Sequence, residues 1–153
     1  MTLVTADLST IYDETLTIVN RLDAKDSDSR QDSYRKTVVT GCMWNSQATR
    51  RVNDDGTVTV GTLHRVQIPE SPDYLPYREW ARSQTGFTIR HGDYIVRGTV
   101  AEELDAATAK RVLASYEPDV FQVQHFRDLT KKEGFVHSSE GVMRFAECYY
   151  VEG

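Results

Sequence analysis

Short runs in which apolar and polar residues alternate predict a sheet of antiparallel strands. In the first run, Glu14–Arg21, Leu16 and Ile18 alternate with Thr15 and Thr17. A period of two residues puts the apolar side chains on one face of a strand, which is typical of a half-buried sheet. Similar β-prone runs predict further strands at residues 34–44, 57–68, 120–128 and 142–151, with a bulge at Gly41.

A hairpin is predicted between Thr85 and Val100. Two β-prone runs, Phe87–Arg90 and Tyr94–Val100, flank a turn that contains Gly92 and Asp93. Glycine adopts a positive φ without strain and aspartate hydrogen-bonds to its own backbone, so both residue types favour a tight turn. The second run places Tyr94, Val96, Gly98 and Val100 on one face of its strand. We assign Gly92, Asp93 and Gly98 as structural turn residues.

One helix is predicted after this hairpin. Asp105 is a good N-cap, and an apolar stripe at helical spacing follows it. The stripe consists of Ala106, Ala109, Val112, Leu113 and Tyr116. Polar segments at 23–33, 45–56 and 130–141 are predicted to be loops.

A proline-rich segment, residues 70–84, carries the aromatic residues Tyr74, Tyr77 and Trp80. A short helix from Pro76 to Gln84 would put Tyr77 and Trp80 on one side. The segment either covers one edge of the sheet or docks on a neighbouring subunit, because exposed aromatic residues and arginine are enriched at interfaces. The candidate partner-interface residues are Arg50, Arg51, Tyr74, Tyr77 and Trp80.

Composition bounds the class of protein. A chain of 153 residues is predicted to be one domain, 1–153. Its net charge of −5 argues against a dedicated nucleic-acid binder, which needs clustered lysine and arginine. No apolar run approaches the roughly 20 residues that span a bilayer, and the first residues lack the features of a signal peptide. Cys42 and Cys148 are predicted to be buried and free.

The residues with catalytic or metal-binding chemistry form no recognisable motif. The histidines His64, His91, His125 and His137 lack the close spacing of a metal site, although His64 and His125 could meet across strands. Phosphate-cradling, dinucleotide-binding and nucleophile-elbow motifs are absent from the sequence. We therefore expect no enzyme activity, no cofactor and no metal.

Four segments together resemble a family of small phage and prophage proteins. They are Thr-Ile-Val-Asn-Arg (17–21), Arg-Lys-Thr-Val-Val-Thr-Gly-Cys-Met-Trp (35–44), Val-Gln-Ile-Pro (66–69) and Gly-Asp-Tyr-Ile-Val-Arg-Gly (92–98). Members are encoded among the head and tail structural genes. The segment at 92–98 is similar to a hairpin of the small β-barrel head-closure proteins.

The resemblance implies a virion structural protein at the head–tail interface, assembled in the host cytoplasm. Its partners would be the portal or adaptor proteins, the tail proteins and further copies of itself in a ring of twelve or six. Packaged DNA would pass through without specific binding. The alternatives are a capsid-decorating or other neck protein, and a small-ligand-binding barrel or enzyme. The predicted fold is α+β and mainly antiparallel: a curved sheet or partly open β-barrel of six to eight strands with one packed helix.

Overall fold

The computed structural model describes residues 12–27, 30–83, 85–129, 135–138, 141–144 and 148–153. The strands are β1 (Glu14–Leu22), β2 (Ser33–Val52), β3 (Val58–Pro69), β4 (Tyr94–Arg97), β5 (Val120–Gln122), β6 (His125–Asp128), β7 (Phe135–Ser138), β8 (Gly141–Arg144) and β9 (Cys148–Glu152). The helices are α1 (Tyr77–Arg82) and α2 (Ala109–Ala114), with a short 3-10 turn at Ala24–Asp26. Within these ranges, neither helix has the length and apolar character needed to cross a membrane.

Seven strands form one curved, half-barrel sheet in the order β5-β4-β1-β2-β3-β9-β6, and β7 pairs with β8 separately. Every strand pair is antiparallel. The predicted class, mainly antiparallel β with little helix, is confirmed. The predicted fold had one packed helix, whereas the described residues contain two short ones: α2 in the segment after Asp105, and α1 in the segment where a short helix from Pro76 was the alternative to an irregular segment.

The curvature of the sheet comes from β2, which changes partner halfway along its 20 residues. Its first half pairs with β1 as far as Cys42, and its second half pairs with β3 from Met43 onward. The register with β1 shifts just before this point, and Gly41 has a φ of 71°. The predicted bulge at Gly41 is therefore confirmed, and it bends the strand where it passes from one partner to the other.

The two outermost strands, β5 and β6, are consecutive in the chain and joined by Val123 and Gln124. The Val123 amide donates to the Asp93 carbonyl over 2.7 Å, on the β4 side. The Gln124 amide donates to the Glu152 carbonyl over 2.8 Å, on the β9 side. The single strand predicted at 120–128 is thus two strands with different neighbours, and residues 123 and 124 carry the chain from one edge of the sheet to the other.

The predicted hairpin between residues 87 and 100 is wrong. β4 pairs with β1 and β5, whereas Phe87 forms only an isolated bridge with Tyr74. The segment before the turn turns away from β4 because Phe87 exchanges backbone hydrogen bonds with Asp73 and Leu75. A turn is nevertheless present at residues 91–92, where Gly92 has a φ of 95°, and Gly98, directly after β4, has a φ of 91°.

Two predicted loops are also corrected. Residues 45–52 belong to β2 and not to a loop. Their sequence shows no alternation of apolar and polar residues because both faces of the strand are exposed there. The predicted loop at 130–141 contains β7, and the strand predicted at 142–151 is divided into β8 and β9. The remaining residues of those two segments, and the predicted Gln84 end of α1, lie outside the described residues.

The core has two layers, one on each face of β1. Leu16 and Ile18 point into the curve of the sheet, where they pack with residues from β2, β3, β4, β5 and β9. Val19 lies on the opposite face with Val96 and is covered by Leu113 of α2. The face predicted for Val96 is therefore confirmed, and so is a helix packed on the sheet.

Candidate interaction surface

The most exposed regular structure is a two-stranded extension of the sheet, residues 45–62, which we call the ribbon. It comprises the second half of β2, the first part of β3 and the turn between them. All of its residues are exposed except the half-buried Asn53. Eight residues of β2 extend by about 27 Å at the usual rise per strand residue. The ribbon therefore projects away from the core.

The two faces of the ribbon differ in polarity. Opposite one another on one face lie Ala48 and Thr62, Arg50 and Val60, and Val52 and Val58. The exposed fractions of Val52, Val58 and Val60 are 65%, 45% and 71%. The other face carries Gln47, Thr49, Arg51, Thr59 and Gly61. We call the first face the valine face. It is apolar apart from Arg50 and Thr62.

Hydrogen bonds hold the tip of the ribbon in one conformation. The Asn53 amide donates to the Thr57 carbonyl over 2.8 Å, and Asp55 Oδ1 accepts from the Thr57 amide over 3.0 Å. The hydrogen bonds from Thr57 lower the pKa of Asp55. Gly56, with a φ of 84°, completes the turn. The tip is thus held by hydrogen bonds among its own residues.

Both edges of the ribbon lack a strand neighbour among the described residues. β1 pairs with β2 only as far as Cys42, so residues 45–52 form an open edge, the β2 edge. On the other side, β9 and the following Gly153 reach only as far as His64. Residues 58–62 of β3 form a second open edge, the β3 edge.

The predicted partner-interface residues occupy different environments. Arg50 and Arg51 are exposed on opposite faces of the ribbon, rather than in a loop. Tyr77 is half-buried, with its hydroxyl 2.7 Å from Asp26 Oδ2 and the Arg90 guanidinium 3.6 Å from its ring centre. These residues do not form one continuous patch.

Trp80 is completely buried, and its assignment to a partner interface is corrected. Its indole donates to the Gly86 carbonyl over 3.1 Å, and the Arg35 guanidinium lies 4.4 Å from the ring centre. Tyr74 packs against the core, 4.5 Å from Tyr149 between ring centres. Residues 74–80 therefore contact the core of their own chain through Tyr74 and Trp80, which agrees with the first of the two alternatives.

A buried polar cluster beneath the turn at Gly92 was not predicted. The Asp93 carboxylate accepts from Asn20 Nδ2 over 2.9 Å, from the Arg21 amide over 3.1 Å and from the Arg90 amide over 3.2 Å. Asn20 Oδ1 also accepts from the Thr88 amide over 3.2 Å. Burial raises the pKa of Asp93, while these hydrogen bonds act in the opposite direction. The cluster fixes the turn to β1, which is a structural role.

An aromatic cluster lies at the base of the ribbon. His64 stacks on Phe121 at 5.4 Å and lies 5.2 Å from Trp44, between ring centres. Ser46 Oγ accepts from Trp44 Nε1 over 2.9 Å and lies 2.8 Å from His64 Nδ1. Burial lowers the pKa of His64. The sequence left His64 and His125 as a possible pair across strands. In the structure, His64 lies opposite Gly153 and His125 lies opposite Glu152, on the two strands that flank β9.

We expect His64 to lower the free energy of unfolding of the protein in acid. Its pKa in the folded state lies below that in the unfolded state, so the stabilisation is complete above the ordinary value near 6.5 and is lost as pH falls through the lowered value. One such group changes the free energy of unfolding by at most about 1.4 kcal/mol per pH unit. Urea unfolding at pH 7 and pH 5 should show a smaller acid loss in His64→Gln than in the wild type. Equal losses would contradict this assignment.

The described residues contain no group of three histidine, cysteine, aspartate or glutamate side chains that could hold a metal ion. Cys42 and Cys148 are confirmed as buried and free. Burial raises the pKa of the Cys42 thiol to about 12 and raises that of Cys148. Both thiols are therefore protonated at neutral pH.

The fold and the ribbon define a mainly antiparallel β protein whose sheet is extended by the exposed ribbon. Residues 11–138 match a family of unknown function, DUF6751, and the chain belongs to this family. No curated protein and no solved structure matches the chain.

Proposed function

We propose that this protein is a virion structural protein at the head–tail interface of a phage, acting as a head-completion connector. It forms a ring of twelve or six copies between the portal or adaptor proteins and the tail. The ribbon carries the proposal, because an ordered hairpin with two open edges and an exposed valine face is suited to contact another protein. Exposed apolar patches of this kind mark interaction sites.

The segments that resemble the phage family support this reading through their positions. Residues 17–21 lie in β1, 35–44 in β2, 66–69 at the end of β3, and 92–98 in the turn and β4. The four strands that carry these segments are neighbours in the sheet, in the order β4-β1-β2-β3. The resemblance therefore concerns the part of the chain that builds the curved sheet, and the ribbon extends from two of those strands.

The charge of the chain also suits a connector. A net charge of −5 disfavours adhesion to the phosphate backbone, so DNA could slide through a ring without being held. Partner proteins would instead be bound by the ribbon, where Arg50 lies on the valine face and Arg51 on the opposite, polar face.

Deletion of the gene from a phage that encodes it tests this function. We expect capsids to assemble and package DNA and tails to form separately, because closure of the head follows these steps. Electron microscopy of the lysate should show free tails and unjoined heads that lose their DNA. Infectious tailed particles at normal titre would contradict the proposal, and hundreds of copies over the shell would favour decoration instead.

A ribbon variant separates the role of this element from that of the whole protein. Residues 49–61 replaced by a two-residue Asn-Gly turn, which would join the paired residues Ala48 and Thr62, should leave the curved sheet folded, since the deleted residues are exposed except for the half-buried Asn53. We expect this variant to fail to join heads to tails. Val38→Lys, at an exposed valine of β2 outside the ribbon, is the control and should complement the deletion. Full complementation by the ribbon variant would remove the ribbon from the proposed mechanism.

A further inference from the structure

The two open edges of the ribbon differ in how they are protected. Natural edge strands avoid pairing with other chains by means of charged residues, prolines or bulges. The β2 edge carries Arg50 and Arg51, whereas the β3 edge reads Val-Thr-Val-Gly-Thr (58–62) and has no charge and no proline. Its register against β2 is regular, without a bulge. The β3 edge is therefore open to pairing with another strand.

A second copy of the same chain supplies the edge that complements it. Pairing of two β2 edges would bring arginines of both copies into adjacent strands, where like charges opposite one another are destabilising. Pairing of two β3 edges would leave both β2 edges open. Pairing the β3 edge of one copy with the β2 edge of the next sets Arg50 and Arg51 against uncharged residues and uses both edges.

We propose that neighbouring copies assemble through their ribbons, with residues 58–62 of one copy running antiparallel to residues 45–52 of the next. This inference rests on the ring of the proposed function. β2 and β3 are antiparallel within each ribbon, so ribbons that stand side by side and point the same way bring β3 beside an antiparallel β2. Such a contact joins two different surfaces, and its repetition forms a ring when the rotation between neighbouring copies closes, as the ring of the proposed function requires.

The chemistry of the two faces follows this arrangement. Side chains keep their alternation across paired strands, so the valine faces of all copies join into one continuous apolar surface. The faces that carry Gln47, Thr49 and Arg51 join on the other side into a continuous polar surface. A single two-stranded ribbon is marginally stable by itself, and pairing on both sides removes that weakness.

The size of the contact predicts weak association in solution. Five paired residues extend over only about 17 Å. The surface area that one such edge contact buries is therefore much smaller than the roughly 800 Å² per partner of a stable complex. A template that holds copies together supplies the missing affinity by raising the local concentration to the millimolar range. Free protein should therefore be mostly monomeric when dilute.

Cross-linking between two differently sized chains tests the pairing. One chain carries Thr59→Cys on the β3 edge, and a longer, tagged chain carries Gln47→Cys or Thr49→Cys on the β2 edge; all three positions share the polar face. The chains are mixed at about 1 mM, to match the concentration on a template, and treated with a mild oxidant. Cys42 and Cys148 are buried and should not react. Ala48→Cys, on the opposite face, is the matched control.

We expect disulfide-linked heterodimers for at least one of the two polar-face partners, several-fold more abundant than with Ala48→Cys. Homodimers of Thr59→Cys alone would show that two β3 edges pair and would overturn the side-by-side arrangement. Absence of any cross-link at this concentration would also overturn it.

A charge on the β3 edge gives an independent readout. Val60→Lys should reduce self-association measured by sedimentation at least several-fold, whereas Val38→Lys should not change it, and circular dichroism should show both variants folded. Unchanged association of Val60→Lys would contradict the proposal. If the ribbons cross-link but the protein is absent from phage particles, the head–tail function is refuted and the ribbon contact stands. If the protein forms a ring in the virion but its ribbons do not cross-link, the ribbon contact is refuted and the head–tail function stands.

Discussion

Replacement of Trp80 by alanine is expected to destabilise the protein by about 3–5 kcal/mol, the usual cost of removing a large aromatic side chain from a core. Trp80 has no exposed surface and is among the largest completely buried side chains of the described chain. The substitution also removes the hydrogen bond to the Gly86 carbonyl and the contact with Arg35. A cavity would remain between α1 and the sheet.

Urea unfolding followed by far-ultraviolet circular dichroism measures this loss without depending on tryptophan fluorescence. Trp44→Ala is the matched control, because Trp44 is only half-buried at the base of the ribbon. We expect the control to cost clearly less than Trp80→Ala. A cost below about 0.5 kcal/mol for Trp80→Ala would mean that α1 does not pack as described, since that is the range of ordinary surface substitutions.

Asp93→Ala is expected to cost about 3 kcal/mol, because a buried polar group left without a partner costs roughly 1–3 kcal/mol. The substitution deprives the Arg21 and Arg90 amides of an acceptor and removes one of the partners of Asn20. Asp93→Asn should cost less, because one oxygen is kept as an acceptor, although its amino group then faces a donor.

Asp55→Ala provides the matched control for Asp93. Asp55 also accepts a backbone hydrogen bond in a turn, but it is exposed at the tip of the ribbon, where water replaces a lost partner. Thermal unfolding should separate the two alanine variants by well over 1 kcal/mol in stability at the midpoint. Similar losses would show that the buried cluster is not what holds the turn to β1. A double-mutant cycle with Asn20→Ala should be non-additive, since the two side chains share a hydrogen bond.

The elements that sequence predicted correctly are those whose pattern reflects burial. The alternation around Leu16 and Ile18 identified β1 because one face of this strand lies in the core. The turn at Gly92 was predictable because a Gly-Asp pair between two β-prone runs favours a positive φ, and Gly92 has a φ of 95°. Asp105 also accepts from the Thr108 amide as an N-cap should, although α2 itself begins only at Ala109.

The ribbon and the buried cluster were missed for different physical reasons. Residues 45–52 bury no side chain, so selection for a packed face left no alternation in their sequence. Asn20 and Asp93 lie 73 residues apart, and only the pairing of β1 with β4 brings them together. Trp80 was placed at an interface because aromatic residues occur both there and in cores, and composition does not distinguish the two. A buried asparagine amid the apolar residues of β1 was the one available signal.

The continuity of β2 gives the ribbon a mechanical property. The same 20-residue strand begins beside β1 in the core and ends at the tip, and it carries a bulge at Gly41 where it changes partner. A force applied to the tip is therefore transmitted along a single backbone to the centre of the sheet, with no flexible linker to absorb it. Small rotations of the core become larger displacements at the tip, so the ribbon acts as a lever whose direction is set by the core.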